Sequence, residues 1–168
     1  KITKASKKFR LVNKKIYNNI HRKQKNIKTL DEGRKIGICL IDKQKNELTF
    51  CGAKINLFHK RKHEGLNIDK GNKIDIGKEL DPNKIYLEHI LPLTNIDSIY
   101  MTTDGLNDQL KYKTNKTKFG FKGFENFITK NAQLPLEEQK QNLQKVFEDI
   151  IAHQAQIDDI LVFACKIS

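Results

Sequence analysis

Apolar residues recur three and four positions apart in two stretches of the chain. A helix turns once in about 3.6 residues, so side chains at this spacing share one face. From Ala5 to about Gln24 the shared face comprises Phe9, Val12, Ile16 and Ile20. After Pro135, which with the two acids that follow it suits a first helical turn, the face comprises Leu143, Val146, Phe147, Ile150 and Ile151. The pattern predicts helices over about 5–24 and 136–153, and a shorter one near 121–130.

Between these helices the apolar residues form short runs of strand length. Ile36–Asp42 and Glu47–Cys51 are separated by four polar residues, which predicts an antiparallel hairpin. Further short strands are predicted at 55–59, 66–68, 86–93 and 98–103. The last run, Ile160–Lys166, is continuously apolar, as is typical of a strand buried on both faces.

The order of these elements favours an α+β fold with mainly antiparallel strands whose faces are covered by helices. A chain of 168 residues can enclose one core, and it contains no internal repeat or low-complexity linker. We therefore expect residues 1–168 to form one domain, or most of one. The chain begins with a lysine in charged, helix-like sequence, and we expect it to be a fragment with a segment missing upstream.

The net charge of +12 raises the question of a nucleic-acid partner, but the charge is concentrated at one end. Residues 1–30 contain eleven Lys or Arg and no Asp or Glu, and the rest is nearly balanced. Interleaved aromatic residues and a recognisable reader motif are lacking, so the sequence does not favour nucleic-acid binding.

Cysteine and apolar content indicate the compartment. No apolar run approaches the roughly 20 residues of a membrane span, so no membrane contact is expected in this segment. The three cysteines, Cys39, Cys51 and Cys165, are odd in number, far apart and set among apolar neighbours. This arrangement favours buried, reduced thiols over a disulfide framework or zinc site, and predicts a cytoplasmic location.

Two acidic features stand at the ends of predicted strands. Asp104-Gly105 follows one strand directly, and Asp158-Asp159 precedes the last strand. Asp-Gly is commonly only a turn, and an acidic pair before a strand is commonly solvated loop. Carboxylates at adjacent strand ends also provide the hard oxygen ligands that Mg²⁺ or Mn²⁺ requires, and a glycine lets backbone approach closely.

Residues 97–109 (DSIYMTTDGLNDQ) resemble the Tyr-x-x-Thr-Asp-Gly-x-x-Asp-Gln segment of SpoIIE-type phosphatases, members of the protein phosphatase 2C superfamily. Further segments match in the family's order. They are 38–42 (CLID in ICLID), 48–54 (LTFCGAK), 135–140 (PLEEQK) and 156–162 (QIDDILV). The resemblance runs from about Lys8 to the end of the chain.

This resemblance implies a two-layer antiparallel β-sandwich flanked by helices (αββα) that holds two Mg²⁺ or Mn²⁺ ions between its sheets. It implies a metal-activated water as the nucleophile on a phosphoserine or phosphothreonine protein. It also implies a role in bacterial signalling. Asp104 and Asp158 correspond to metal ligands, and Gly105 to the close-approach residue. Asp159 and the weaker candidate Asp108 would support those ligands.

The family's other metal-binding segment, an Asp-Gly motif that precedes the long helix resembling residues 5–26, has no counterpart here. Gly33-Arg34-Lys35 and Ile76-Gly77-Lys78 also depart from the family's Gly-Met-Asp and Ile-Gly-Gly. We therefore expect half of the metal site to be missing, and this chain alone to have little or no turnover and to bind Mn²⁺ weakly.

Two other functions remain open from the sequence. Glu88-His89-Ile90-Leu91-Pro92 resembles the start of an HNH nuclease motif, in which His89 would activate water and Asn107 and Asn115 would follow. A phosphatase-like module that binds a phosphoprotein or a regulator without turnover is the third class. The sequence leaves open the phosphoprotein substrate, an upstream sensor domain, membrane tethering of a longer polypeptide, and the choice between Mg²⁺ and Mn²⁺.

Overall fold

The computed structural model describes residues 4–22, 33–62, 64–77, 85–109, 119–151, 155–156 and 158–167. The helices are α1 Lys4–Arg22, α2 Asp104–Asp108, α3 Gly120–Asn131 and α4 Leu136–Ile151. The strands are β1 Ile36–Asp42, β2 Glu47–Ala53, β3 Leu57–Arg61, β4 Leu66–Asp69, β5 Glu88–Pro92, β6 Ile96–Thr102 and β7 Val162–Lys166. The 3-10 turn Leu93–Asn95 connects β5 to β6.

The chain divides into two compact units, and the first comprises Lys1–Leu57 and Asp69–Thr94. Its sheet has the order β1-β2-β5 and is antiparallel throughout, with Ile38 opposite Cys51 and Phe50 opposite His89. The predicted β1–β2 hairpin is confirmed. Its turn is held by Asp42, whose Oδ1 accepts the backbone N–H groups of Gln44 and Lys45 at 3.1 Å.

Helix α1 packs on the first unit through its predicted apolar face. Phe9 is fully buried, and its ring centroid lies 4.6 Å from that of Tyr86. Val12 and Ile16 pack against the same core, which contains Cys51, Ala53 and Ile76. The side chain of Ile20, the fourth residue of the predicted face, lies outside the described residues.

The second unit comprises Phe58–Ile68 and Asn95–Ser168. Its sheet has the strand order β4-β3-β6-β7, and β6 pairs antiparallel with both β3 and β7. Helices α3 and α4 cover this sheet through a core of aromatic and aliphatic side chains. The buried members are Phe58, Tyr100, Leu106, Phe119, Phe124, Phe127, Ile128, Ala132 and Ile150.

A buried chain of hydrogen bonds joins β6 to α4 within this core. Ser98 Oγ donates to the Tyr100 hydroxyl, which donates to Gln139 Oε1, each at 3.1 Å. The Gln139 amide donates in turn to the carbonyl of Leu134 at 2.8 Å. Every one of these buried polar groups therefore has a partner, as burial of polar atoms requires.

The predicted α+β class, with two antiparallel sheets flanked by helices, is confirmed. The prediction that the last strand is buried on both faces is wrong. Among the described strands, β7 is the last in its sheet and pairs only with β6, and Phe163 remains 44% exposed. Side chains alternate between the two faces of a strand, so an apolar run at a sheet edge keeps one apolar row outside.

The cysteine prediction is confirmed in part. All three cysteines are free thiols, but only Cys51 is buried, while Cys39 and Cys165 are half-buried. No helix in the described part of the chain combines the length and apolarity needed to cross a membrane.

Candidate active site

The candidate site begins where β6 ends. Thr103 has extended backbone (φ −73°, ψ 166°), and Asp104 opens the five-residue helix α2, in which Gly105, Leu106 and Asn107 are buried. An acidic residue in the first turn of a helix is favoured by the partial positive charge there. The start of α2 directly after β6 therefore holds the half-buried Asp104 at the end of a central strand.

Gly105 packs directly on the backbone of the acidic pair. A Cβ atom at Gly105 would lie 2.3 Å from the carbonyl oxygen of Asp159 and 3.1 Å from that of Asp158. Cβ atoms do not approach other heavy atoms to 2.3 Å, so only glycine fits without displacing this backbone. Gly105 therefore lets the backbone of α2 contact the backbone of Asp158 and Asp159, and its part in a metal site stays a prediction.

Thr103 holds the same two segments together by hydrogen bonds. Its backbone N–H donates to the carbonyl of Leu161 at 3.0 Å, and the N–H of Leu161 donates to Thr103 Oγ1 at 3.0 Å. The Thr103 hydroxyl donates to the carbonyl of Asp159 at 3.2 Å. The sequence alone does not predict this role of Thr103, although its position directly before Asp-Gly is an available signal.

Gln109 fixes the other end of α2 and was also missed. This fully buried side chain donates through Nε2 to the carbonyl of Ala155 at 3.3 Å. Its backbone N–H donates to Gly105, and its carbonyl accepts the N–H of Phe119 at 2.9 Å. Gln109 thus connects α2 to the stretch that leads into Asp158.

Asp158 and Asp159 are exposed, and their loop is internally hydrogen-bonded. The N–H of Asp159 donates to Asp158 Oδ1 at 2.7 Å, and Gln156 Nε2 donates to the Asp158 carbonyl at 2.8 Å. The structure therefore brings the segment of Asp104 against the segment of Asp158 and Asp159. Asp108 lies half-buried at the end of α2.

The donor chemistry of these two segments fits part of a divalent metal site. Carboxylates and backbone carbonyls are the oxygen ligands that Mg²⁺ and Mn²⁺ prefer. Within the ranges that the structure describes, no three or more His, Cys, Asp or Glu side chains form a group that could hold a metal ion. The roles of Asp104 and Asp158 as ligands stay predictions.

His89, the residue of the nuclease alternative, lies in a β-sheet. Its Nδ1 is 3.0 Å from Asp69 Oδ1 and its Nε2 is 2.9 Å from the Lys70 carbonyl, so both ring nitrogens contact acceptors. Its strand β5 pairs with β2, whereas the next strand, β6, belongs to the other sheet. This topology is not a ββα unit centred on His89. Asn107 is buried in α2, and Asn115 lies outside the described residues.

Comparisons with known proteins point to one family. The model of the family described as stage II sporulation protein E (SpoIIE) matches residues 6–168. Among solved structures, the chain resembles the SiaA-PP2C domain of Pseudomonas aeruginosa, with a TM-score of 0.68 and 25% identity. That match covers 79% of this chain and 51% of the other, so the chain spans about half the length of that domain.

Two crystal structures of a bacterial serine phosphatase, each with one arginine substituted, also share the fold. Their TM-scores are 0.64 and 0.65 at 12% and 13% identity. The matches cover 95% and 100% of this chain, and 63% and 70% of those chains. No curated protein matches the chain.

Proposed function

Since the chain belongs to the stage II sporulation protein E family, we propose that it is part of a metal-dependent phosphatase acting on phosphoserine and phosphothreonine in proteins. The observation that carries the proposal is the contact of Gly105 with the Asp158–Asp159 backbone. That contact joins the two acidic segments that the family resemblance assigns to the metal site, although they are far apart in the sequence.

In this proposal Asp104 and Asp158 are ligands of a divalent ion, and Asp159 and Asp108 support the ligands or their water. Two Mg²⁺ or Mn²⁺ ions, when bound, supply a readily deprotonated water and neutralise charge on the phosphoryl oxygens. The residues of this chain contribute by positioning the two acidic segments. Thr103 and Gln109 hold the two segments together, and Gly105 allows their backbones to touch.

We further propose that this chain provides only part of the ligand set. The described residues contain no group of three or more candidate ligands, and the chain spans about half of the SiaA-PP2C domain. Loss of a charged ligand weakens Mg²⁺ and Mn²⁺ binding, because both ions give up their water reluctantly. The remaining ligands would come from residues beyond this chain, as would any sensor domain and the selection of the phosphoprotein.

The test compares this chain with a longer chain that restores the full length of the matched domains. Both are assayed with Mn²⁺ and a phosphoserine peptide. We expect turnover only in the longer chain. In that chain D104N and D158N should each lower the turnover at least about 100-fold, because even substitution of a residue that only supports a metal ligand can lower activity by about this factor. The matched control is D149N, which removes an exposed carboxylate on α4.

Three results would contradict the proposal: turnover of the longer chain in excess EDTA, full activity of its D104N variant, or equal loss in D149N. Full Mn²⁺-dependent activity of this chain alone, abolished by D104N, would show that its ligand set is complete.

The second candidate is a module that binds a phosphoprotein without hydrolysing it. It is favoured by the same finding that the described residues group fewer than three candidate ligands. The assay separates the two functions. A longer chain that binds the phosphoserine peptide and Mn²⁺ but releases no phosphate would support the module.

A further inference from the structure

A pocket of about 330 Å³ opens at one edge of the four-stranded sheet. At this edge β3 ends, β6 begins and β7 ends, because the three strands are antiparallel neighbours. The residue just beyond the end of helix α3 also contributes to the wall. The lining residues are Lys60, Arg61, Lys62, Asp97, Ala132, Gln133 and Lys166, and we name this cavity the basic pocket.

Positive charge dominates the basic pocket. Among the described residues that line it, four are Lys or Arg, and Asp97 is the single carboxylate. The nearby Glu64 accepts a hydrogen bond from Arg61 Nη1 at 3.2 Å. Counting Glu64, the described residues of the pocket and its rim have an excess of two positive charges. Like charges gathered this closely repel one another unless an anion lies between them.

One cation of the pocket is fixed in place. Lys166 Nζ donates to Asp97 Oδ2 at 2.8 Å and to the carbonyl of Ala132 at 2.9 Å, both of them lining residues. Ala132 follows α3, and the end of a helix carries partial negative charge that attracts a cation. Lys166 is therefore held at the pocket wall rather than extended into solvent.

Two other cations retain donor capacity. Arg61 Nε is buried and has no hydrogen-bond partner in the described part of the chain. Lys62 is exposed, and within the same described ranges its ammonium forms no ion pair. An anion seated in the pocket would give the exposed Lys62 ammonium an acceptor and would balance the positive charge of Arg61. Arg and Lys together suit phosphate, since the guanidinium fork and the ammonium each bind its oxygens.

The basic pocket is separate from the candidate active site. Strand β6 has seven residues, so its two ends are about 20 Å apart. Asp97 of the pocket lies at the start of β6, whereas Asp104 follows its end. An anion in the basic pocket therefore needs no metal ion, and its binding does not depend on the proposed phosphatase activity.

We propose that the basic pocket binds a phosphate group, which contacts the Lys62 ammonium and is attracted by the charge of Arg61. The ammonium of Lys60 already donates to the carbonyls of Arg61 and Glu64, so Lys60, like Lys166, contributes positive charge. The phosphate can belong to a small soluble compound or to a phosphorylated residue of a peptide, since both present the same oxygens. The volume exceeds the needs of a single ion and lies at the lower end of the range of ligand pockets.

In the first experiment the ¹⁵N-labelled full chain is titrated in the presence of EDTA, and binding is monitored by the amide chemical shifts. The probes are inorganic phosphate, pyrophosphate, a phosphoserine peptide and the same peptide without phosphate. We expect saturable shifts at residues 60–62 and 166 with at least one phosphate-bearing probe, and weaker binding at higher salt. Saturation by phosphate or pyrophosphate indicates a small-compound source, and saturation by the phosphopeptide alone indicates a peptide source.

The second experiment uses K62E. Because Lys62 is exposed, reversing the charge of its side chain disturbs no packing. The variant should raise the Kd at least about tenfold, the equivalent of one lost charge-assisted hydrogen bond. The matched control is K145E on α4, which makes the same charge change at an exposed position outside the pocket. Absence of saturable shifts with every phosphate probe, equal binding of the unphosphorylated peptide, or equal weakening in K145E would overturn the proposal.

Discussion

At the scale of single residues, Gly105 is the position where the candidate site tolerates no side chain. We predict that G105A lowers the free energy of unfolding by about 1–3 kcal/mol, the usual cost of inserting an atom into packed structure. The added Cβ would collide with the Asp159 carbonyl, and the acidic loop would have to move. Urea denaturation measures the change.

Gly65 provides the matched control for this prediction. A Cβ at Gly65 would have no heavy atom within 4 Å, so G65A should change the unfolding free energy by less than about 0.5 kcal/mol. Equal effects of the two substitutions would show that the contact between Gly105 and the acidic loop has no energetic significance.

The buried thiol of Cys51 makes the free energy of unfolding depend on pH under alkaline conditions. Burial raises the pKa of the Cys51 thiol from 9.0 to about 12, and the charge of Glu88 adds to this rise. The folded state therefore keeps its thiol proton where the unfolded state loses it. The resulting stability is fully present below pH 9 and is lost as the pH rises from 9 toward 12.

We predict that the urea midpoint of the wild-type chain falls more steeply between pH 9 and 11 than that of C51A. Comparing slopes removes the contribution of other groups that titrate in this range. C165A, which alters a half-buried thiol on β7, is the control and should keep the wild-type slope. Parallel slopes in wild type and C51A would refute the role assigned to Cys51.

At the scale of elements, Thr103 links the ends of β6 and β7 to α2. We predict that T103V lowers the unfolding free energy by about 1 kcal/mol, the net contribution of a typical hydrogen bond. Valine keeps the shape of threonine but neither accepts from the Leu161 N–H nor donates to the Asp159 carbonyl. T103S keeps the hydroxyl and should be less affected; equal stability of T103V and T103S would contradict the prediction.

The sequence predicted elements well where periodicity is long. The apolar patterns of α1 and α4 span several helical turns, and the strands alternate with polar turns. Both patterns are long enough to be distinguished from a chance arrangement of apolar residues. Helix α2 was not predicted, because five residues are too few to establish a period. The burial of β7 was predicted wrongly, since composition does not reveal whether a strand has one neighbour or two.

Within the site, the sequence allowed candidate residues to be identified, but it did not allow the contacts between them to be predicted. Asp104, Gly105 and Asp158 were identified by their resemblance to a family segment. The bonds of Thr103 to Leu161 and Asp159 depend on β7 lying beside β6, a pairing of residues far apart in the chain. No local pattern encodes such a pairing.

At the scale of the whole molecule, the described residues leave apolar side chains exposed at a sheet edge. Leu161 is 65% exposed and Phe163 is 44% exposed, and β7 is the last of the described strands in its sheet. Exposed edges of this kind pair with other chains. We predict that the chain self-associates with rising concentration, and that F163K reduces this association in sedimentation equilibrium.

The control for F163K is L11K, which places the same charge on helix α1 at a residue of similar exposure, 54%. A helix surface offers no unpaired backbone groups, so L11K should leave the association nearly unchanged. A chain that stays monomeric, or an equal response to both substitutions, would exclude β7 as the contact.

The bonds from Thr103 to the loop before β7 also constrain the order of folding. They span 56 and 58 residues of sequence, and closing a loop of this length costs about 3–4 kcal/mol of chain entropy. Helices α3 and α4 lie between the two segments in the chain, so the hydrogen bonds of Thr103 have to offset the cost of closing the loop that contains both helices. We therefore predict that the acidic segments meet late in folding, and that separation of β7 from β6 disrupts the candidate active site before the β1–β2 hairpin. Hydrogen exchange that is as slow at the Leu161 N–H as at the β1–β2 amides would contradict this order.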